Sequence, residues 1–434
     1  MSAASNAERA ERRPSKRPIS LIAYRAAAGL AAPLAGQLLR ARARQGKEDP
    51  ERLAERLGHA SAPRPAGPLI WAHAVSVGES MSLLPLIEAI AAERPDLAML
   101  VTSGTRASAE VLARRLPPGA IHQYGPVDTP GAVARFLAHW RPAAGLIVES
   151  ELWPNLILAA RRAGVRLALV SARMTEKSAN AWRAQPAAVR AMLRSFELVL
   201  PQDAATRGRL EGFGATIGGV LNLKRLGEPL AHDAAELARL QAMIGARGVV
   251  VAVSTHAPEE TLVAAAAKAT GRDPLVVIAP RHPQRGTEIA AQLAEHGVAR
   301  RSAGEPIGPE TGVYLADTLG ELGLILRLAP FAVVGGGFDA AVGGHNPLEP
   351  ARLGVGVVSG PHVTNHADVF AEMVAADAAV LAPDEAALAA ALGVLLGDAD
   401  RRAALACAAA SYARKQESQL GAALELIRPL LPAA

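Results

Sequence analysis

From residue 63 onward, short apolar runs alternate with stretches of helical periodicity, and they do so in two successive series. The first series places runs at 69–74, 97–102, 144–149, 167–171 and 198–201, with helical stretches at 83–94, 108–116, 131–140 and 153–163 between them. The second places runs at 249–253, 275–279, 312–315, 331–334 and 355–358, with helical stretches at 258–267, 289–296, 319–327 and 385–396. Strands that alternate with helices build βαβ units, and these force a parallel sheet covered on both faces. Between 223 and 237 the strand pattern lapses, in a segment containing Gly227 and Pro229. The pattern predicts two doubly wound α/β domains, 61–225 and 226–434. In such sheets ligands bind outside the carboxyl ends of the strands, so chemistry-bearing motifs belong directly after the runs.

Residues 1–60 form a separate, basic segment. Up to Lys47 it holds ten basic and two acidic residues, a net +8, whereas the rest of the chain carries −3. A body of that sign does not track nucleic acid, and aromatic residues at 3% supply few stacking platforms. Between the basic clusters lies the apolar stretch 18–39, interrupted by Arg25 and Pro33. As a helix, the part between Arg25 and Arg40 is about 21 Å long, short of a bilayer core of about 30 Å. The stretch reads as a soluble helix covering an apolar surface or as a membrane helix beside an anionic lipid surface, and the membrane reading is favoured, with the helix lying in the interface rather than spanning. The arginine interruption and the lack of a convincing small-residue cleavage site before Arg40 argue against a cleaved signal peptide. The single cysteine, Cys407, excludes an intramolecular disulfide and cysteine-based metal sites. The scattered histidines, with no H-E-x-x-H, give no metal site.

Five motifs follow the runs. W-A-H-A-V-S-V-G-E, 71–79, ends a strand and opens a helix near Glu79, with His73 inside the strand. A carboxylate there either caps the helix or takes a proton from a bound hydroxyl. E-S-E-L-W-P-N, 149–155, puts Glu149 at a strand end, Glu151 near a helix start and Pro154 near the first helical position. V-S-T-H, 253–256, offers hydroxyls at a helix N-terminus, as cap or as anion site. A-P-R-H-P-Q-R, 279–285, stiffens Arg281 between prolines, which suits a phosphate as well as a plain turn. The last, 334–350, contains five glycines and then H-N-P-L-E-P. Asn346 as N-cap, Pro347 as the first helical residue and Glu349 as the third make a capping-box pattern. The glycines demand close backbone approach or positive φ, and a glycine loop before a helix is a ready anion site. The spacing matches neither a P-loop nor the dinucleotide fingerprint.

These blocks, with S-A-R-M-T-E-K-S at 171–178, N-L-K at 222–224, D-T-L-G-E-L at 317–322 and G-P-H with Asn365 at 360–365, stand in one order over roughly 20–420. In that order they resemble the 3-deoxy-D-manno-octulosonic acid (Kdo) transferases of lipid A biosynthesis. The resemblance implies a GT-B fold, with two facing Rossmann-like domains and a membrane-associating N-terminal helix. It implies an inverting transfer of Kdo from CMP-Kdo to a lipid A precursor at the cytoplasmic face of the inner membrane, with no bound metal. By motif position, Glu79 matches the general base, and Glu149 and Lys224 match positions of transition-state stabilisation. Pro280, Arg281, Leu319, Gly320, Glu321, Asn346, Pro347, Leu348 and Glu349 match the CMP-binding segments. Three departures stand out. Leu221 replaces a customary glycine, Arg225–Leu226 an aromatic–acidic pair, and the third glycine of G-G-G-F a serine. Another GT-B sugar-nucleotide enzyme, transferase or epimerase, shares this length and pattern, as does a two-domain binder of anionic ligands without turnover. A base at Glu79 is what a pure binder does not need.

Overall fold

The computed structural model describes residues 18–433, so the basic cluster at 9–17 lies outside the described residues. The described residues form two compact units, one of 18–227 and 418–433, the other of 228–417.

The first unit holds a six-stranded sheet built from β1 (Leu69–His73), β2 (Ala98–Ser103), β3 (Ile121–Tyr124), β4 (Ala144–Val148), β5 (Arg166–Ala172) and β6 (Phe196–Pro201). Their order is β3-β2-β1-β4-β5-β6, and every pair is parallel. β1 and β4 are buried at every position, as strands covered on both faces must be. At the centre, Trp71 lies beside Gly145, where a Cβ would come within 3.0 Å of the indole and 2.9 Å of Leu167. Only glycine fits beneath that ring. The order reverses between β1 and β4, so the ligand crevice is predicted at the carboxyl ends of those two strands.

The second unit holds seven parallel strands: β7 (Val249–Thr255), β8 (Leu275–Pro280), β9 (Val298–Arg300), β10 (Val313–Leu315), β11 (Phe331–Val334), β12 (Gly356–Ser359) and β13 (Ala379–Leu381). The order is β13-β12-β11-β7-β8-β10-β9. Its reversal falls between β7 and β11, the strands that precede S-T-H and the glycine loop.

The expected strands are present, but β3, β9 and β13 were not signalled by apolar runs. All three are edge strands of three or four residues. An edge faces water on one side, and I-H-Q-Y or V-A-R carries too little apolar contrast to stand out.

The units depart from the expected boundaries in two ways. Residues 418–434, expected in the second domain, belong to the first unit, because Ala423, Ile427, Leu430 and Leu431 join the core around Leu198 and Leu200. The described part of the N-terminal segment is likewise no separate domain. Its helix, Ile19–Arg44, buries Leu21 and Leu39 and packs on the helices Pro130–Trp140 and Pro154–Arg162. Beyond it, Glu55 accepts hydrogen bonds from the Tyr124 N–H at 2.7 Å and from Arg52, which also donates to the His122 carbonyl. Buried acids paired in this way stitch residues 52–56 under β3. The opposite face of the N-terminal helix exposes Ile22, Leu30, Leu34 and Leu38, a stripe at near-helical spacing.

Candidate active site

In the first unit the chemistry gathers after β1 and β4, at the reversal of strand order. Ser76 caps the helix Val77–Glu93, accepting from the Glu79 N–H at 3.2 Å. The Glu79 carboxylate reaches back, one oxygen accepting from the Val75 N–H at 2.7 Å and the other from Ser76 Oγ–H at 2.9 Å. The capping reading is therefore realised in the free protein. It does not remove the other, since each carboxylate oxygen keeps a second lone pair. The bonds fix one rotamer on a half-buried carboxylate. The same helical turn leaves Val77 and Met81 partly exposed.

Glu149 follows β4 with φ +57°, in the left-handed region that non-glycine residues seldom occupy. Ser171, at the end of β5, and Ser254, at the end of β7, share that strain. Such outliers concentrate where function needs a backbone held against its preference. The Glu149 side chain is buried, and Lys224 Nζ lies 2.6 Å from its Oε1, too poorly aligned for a directional hydrogen bond. The lysine is presented by the short turn Leu223–Arg225, held by Asn222 Oδ1 accepting from the Lys224 N–H and Ser171 Oγ accepting from the Leu223 N–H. Leu221, Leu223 and Leu226 are sunk in the core around β5 and β6. That explains two departures from the family pattern: the apolar replacements at 221 and 226 anchor the turn from below, and the Lys224–Glu149 pair still forms.

Glu151 joins the cluster. Its carboxyl is raised above the ordinary range by burial first, with the negative charges of Glu79 and Glu149 adding to the rise and the Trp153 indole N–H opposing it. The structure thus brings together three carboxylates and one lysine at the end of β1 and β4. His73 ends β1, buried and against Thr102, as a structural residue should be.

In the second unit Pro280, Arg281, Leu319, Gly320 and Glu321 line one cavity of about 150 Å³ at the carboxyl ends of β7 and β8, together with Ser254 and Thr318. Among the described residues the exposed Arg281 guanidinium has no ion-pair partner. Its charge reaches Glu349 and His345, which links this cavity to the glycine loop. The Glu321 carboxylate is already committed to Arg301 and Thr318, so only its backbone is open to a ligand. A larger cavity of about 650 Å³, lined by Arg247, Lys268 and Glu310, opens at the amino ends of the strands, away from every motif.

The loop after β11 accounts for its glycines within the protein. A Cβ on Gly335 would lie 2.6 Å from the Ser254 carbonyl oxygen, and Gly336, Gly343 and Gly344 hold φ of 74°, 81° and 80°. A Cβ on Gly337 would lie 2.3 Å from Ser359 Oγ and 2.7 Å from the Gly360 backbone nitrogen, so the loop as it stands takes only glycine there. Asn346 Oδ1 accepts from the Leu348 N–H at 3.1 Å, so it caps the helix Leu348–Arg352, which starts one residue later than expected. The return bond of a capping box, from the Asn346 N–H to Glu349, is not formed. Burial, partly offset by Arg352 and Arg281, raises its carboxyl. Pro347 and Leu348 are buried packing residues. His345 Nε2 and His256 Nε2 are 2.8 Å apart in stacked rings, one donating and the other accepting. Burial, then neighbouring cations, pushes His345 down to about 4.

Sequence reasoning missed Glu259. This buried carboxylate accepts from the N–H groups of His256, Gly336 and Phe338, and so ties the β7 loop to the glycine loop. Its signal was the H-x-x-E spacing, a helix-start pattern read only for its serine and threonine. Among the described residues no group of three or more His, Cys, Asp or Glu side chains is placed to hold a metal ion.

Twin doubly wound units, each with its charged residues at the reversal of strand order, define a GT-B glycosyltransferase architecture. The fold agrees with the crystal structure of a glycosyltransferase from Rickettsia africae, with TM-score 0.56 at 10% identity over 85% of this chain and all of that one. Residues 51–225 match the family model described as 3-Deoxy-D-manno-octulosonic-acid transferase (kdotransferase). The chain is 40% identical to the 3-deoxy-D-manno-octulosonic acid transferase of Bordetella pertussis over 75% of its length and 78% of that protein. To the Haemophilus influenzae transferase it is 29% identical over 88% and 92%. The chain belongs to the Kdo transferase family.

Proposed function

We infer that the protein moves Kdo from CMP-Kdo to a lipid A precursor, lipid IVA, inverting the anomeric centre. The observation that carries this reading is the Glu79, Glu149, Glu151 and Lys224 cluster at the carboxyl ends of β1 and β4. A sugar hydroxyl is a poor nucleophile until a base takes its proton. In this reading Glu79 takes the acceptor proton as the new C–O bond forms, and the electron pair of the breaking bond leaves on the phosphate of CMP. Positive character grows at the anomeric carbon, and Glu149 steadies it while Lys224 offsets negative charge. A single displacement of this kind inverts. The reading routes no step through a metal.

CMP is held, on this account, by Arg281 with Pro280, by the backbone of 319–321, and by the Asn346–Glu349 segment, where Glu349 accepts from ribose hydroxyls. Arg281→Ala is expected to weaken CMP binding by calorimetry by about 10–150-fold, the loss of a charge-assisted contact of about 1.5–3 kcal/mol. An unchanged dissociation constant would place the donor elsewhere.

The N-terminal helix, on the same account, lies in the interface at the cytoplasmic face of the inner membrane. Leu21 and Leu39, near opposite ends of the helix, are both packed on the first unit, so crossing a bilayer would require unpeeling it. Replacing Leu30, Leu34 and Leu38 together by glutamine should abolish co-sedimentation with anionic vesicles and leave the melting temperature unchanged, because these side chains touch little protein. Retained binding would refute the interfacial helix.

A further inference from the structure

The helix Pro154–Arg162, which starts directly after the carboxylate loop 149–153, has no side-chain cap of its own at Trp153. Asp128 supplies the cap from 27 residues away. Its Oδ2 accepts from the Asn155 N–H at 3.1 Å, its Oδ1 from the Leu156 N–H at 2.8 Å, and the Asn155 amide donates back to the Asp128 carbonyl at 2.7 Å. The same Oδ2 accepts from Tyr24 Oη–H at 3.0 Å, and Tyr24 belongs to the N-terminal helix. One carboxylate therefore receives the end of the helix that carries the exposed apolar stripe and the start of the helix that closes the carboxylate loop.

The other end of that loop is held by the sheet, through the Glu149 N–H donating to the Val170 carbonyl. Only a few residues separate the two fixed points, so a shift of the helix start must move Glu149, Glu151 or Trp153. Burial outweighs the donors at Asp128 and leaves its carboxyl raised. A desolvated acceptor of this kind depends strongly on each donor it has.

We propose that Asp128 is a positioning residue that couples, through Tyr24, the seating of the N-terminal helix to the geometry of the 149–153 loop, so that turnover follows whether that helix is docked. The proposal rests on the transferase reading of the loop, and adds that the helix sets rate as well as location. Asp128 touches no reacting atom. Its effect is on kcat, through the placement of Glu149 and its neighbours.

The test uses the full chain with Tyr24→Phe and Asp128→Asn. Tyr24→Phe removes one partly exposed hydroxyl and keeps the ring. Three quantities are measured: co-sedimentation with phosphatidylcholine–phosphatidylglycerol vesicles, steady-state transfer, and amide hydrogen exchange of 149–157. Tyr24→Phe should bind vesicles and CMP as the wild type does, with an unchanged acceptor KM. Its kcat should fall about 3–10-fold, and exchange at 149–157 should quicken by a similar factor, below the full worth of a hydrogen bond to a charged group because water can replace the partly exposed Tyr24 hydroxyl. Asp128→Asn, which turns an acceptor into a donor, should do more of both. Wild-type exchange and kcat in both variants overturn the coupling. So does a kcat that falls only in step with vesicle binding, because the helix is then a tether. If the wild type transfers nothing, the functional reading fails by itself, and the exchange of 149–157 alone decides whether the coupling stands or falls.

Discussion

Glu79→Ala should lower the rate of Kdo transfer at saturating CMP-Kdo by about 10²–10⁴, the usual contribution of a general base, with donor affinity unchanged. The expectation competes with a structural one. In the free protein Glu79 accepts from Val75 N–H and Ser76 Oγ–H, the bonds of a helix cap. Losing a cap costs about 0.5–2 kcal/mol of stability. Glu79→Gln separates the two effects, because the amide oxygen still accepts one of those bonds but takes no proton. On the base account Glu79→Gln is nearly as slow as Glu79→Ala and more stable. On the cap account both variants turn over at nearly the wild-type rate, and only their melting temperatures differ. The two roles are compatible. A carboxylate pinned by two short bonds is held in one position for an incoming hydroxyl, which is what preorganisation requires.

The second large effect concerns the Lys224–Glu149 pair. Glu149 is buried, and removing the lysine leaves its charge without a partner. Breaking a buried pair from one side costs about 3–5 kcal/mol, but Lys224 is 47% exposed, so water can replace part of the interaction and about 1–3 kcal/mol is expected. Lys224→Met should therefore lower both stability and rate. The double variant Glu149→Gln with Lys224→Met removes both charges and should regain most of the stability, within about 1 kcal/mol of the wild type. Its rate should stay down by about 10²–10³, as expected when groups that stabilise the transition state are lost. Urea denaturation and single-turnover transfer on the same preparations decide the matter. Recovery of rate together with stability would make the pair structural.

The apolar runs were sufficient to locate the central strands, because strands buried on both faces have no polar positions to dilute the signal. β1, L-I-W-A-H, and β4, A-G-L-I-V, are of that kind. The edges were not legible for the opposite reason, as I-H-Q-Y in β3 illustrates. The placing of Glu79, Glu149 and Arg281 after strand ends followed from topology alone. Whether Glu79 caps or reacts could not be read from its spacing, because a cap and a base ask for the same residue at the same place. The Glu349 half of the capping box does not form, and local spacing cannot tell a residue that closes a cap from one that is desolvated beside it. Asp128 was passed over because its partners lie 27 residues away and more, beyond any sequence window, and Glu259 showed only its local H-x-x-E half, its tie to Gly336 spanning 77 residues. The C-terminal return of 418–434 to the first unit was hidden in the same way. A continuous helix, Ala399–Ile427, gives no sign in its sequence of where its contacts change.

The decisive measurement is incubation of the purified protein with CMP-Kdo and lipid IVA, read by mass spectrometry of the lipid. The expected result of this transfer is lipid product heavier by whole Kdo residues, CMP released one for one with Kdo transferred, and neither product from the Glu79→Ala variant in the same time. Release of CMP with no gain in lipid mass, or lipid product formed at an undiminished rate by a folded Glu79→Ala protein, would contradict it.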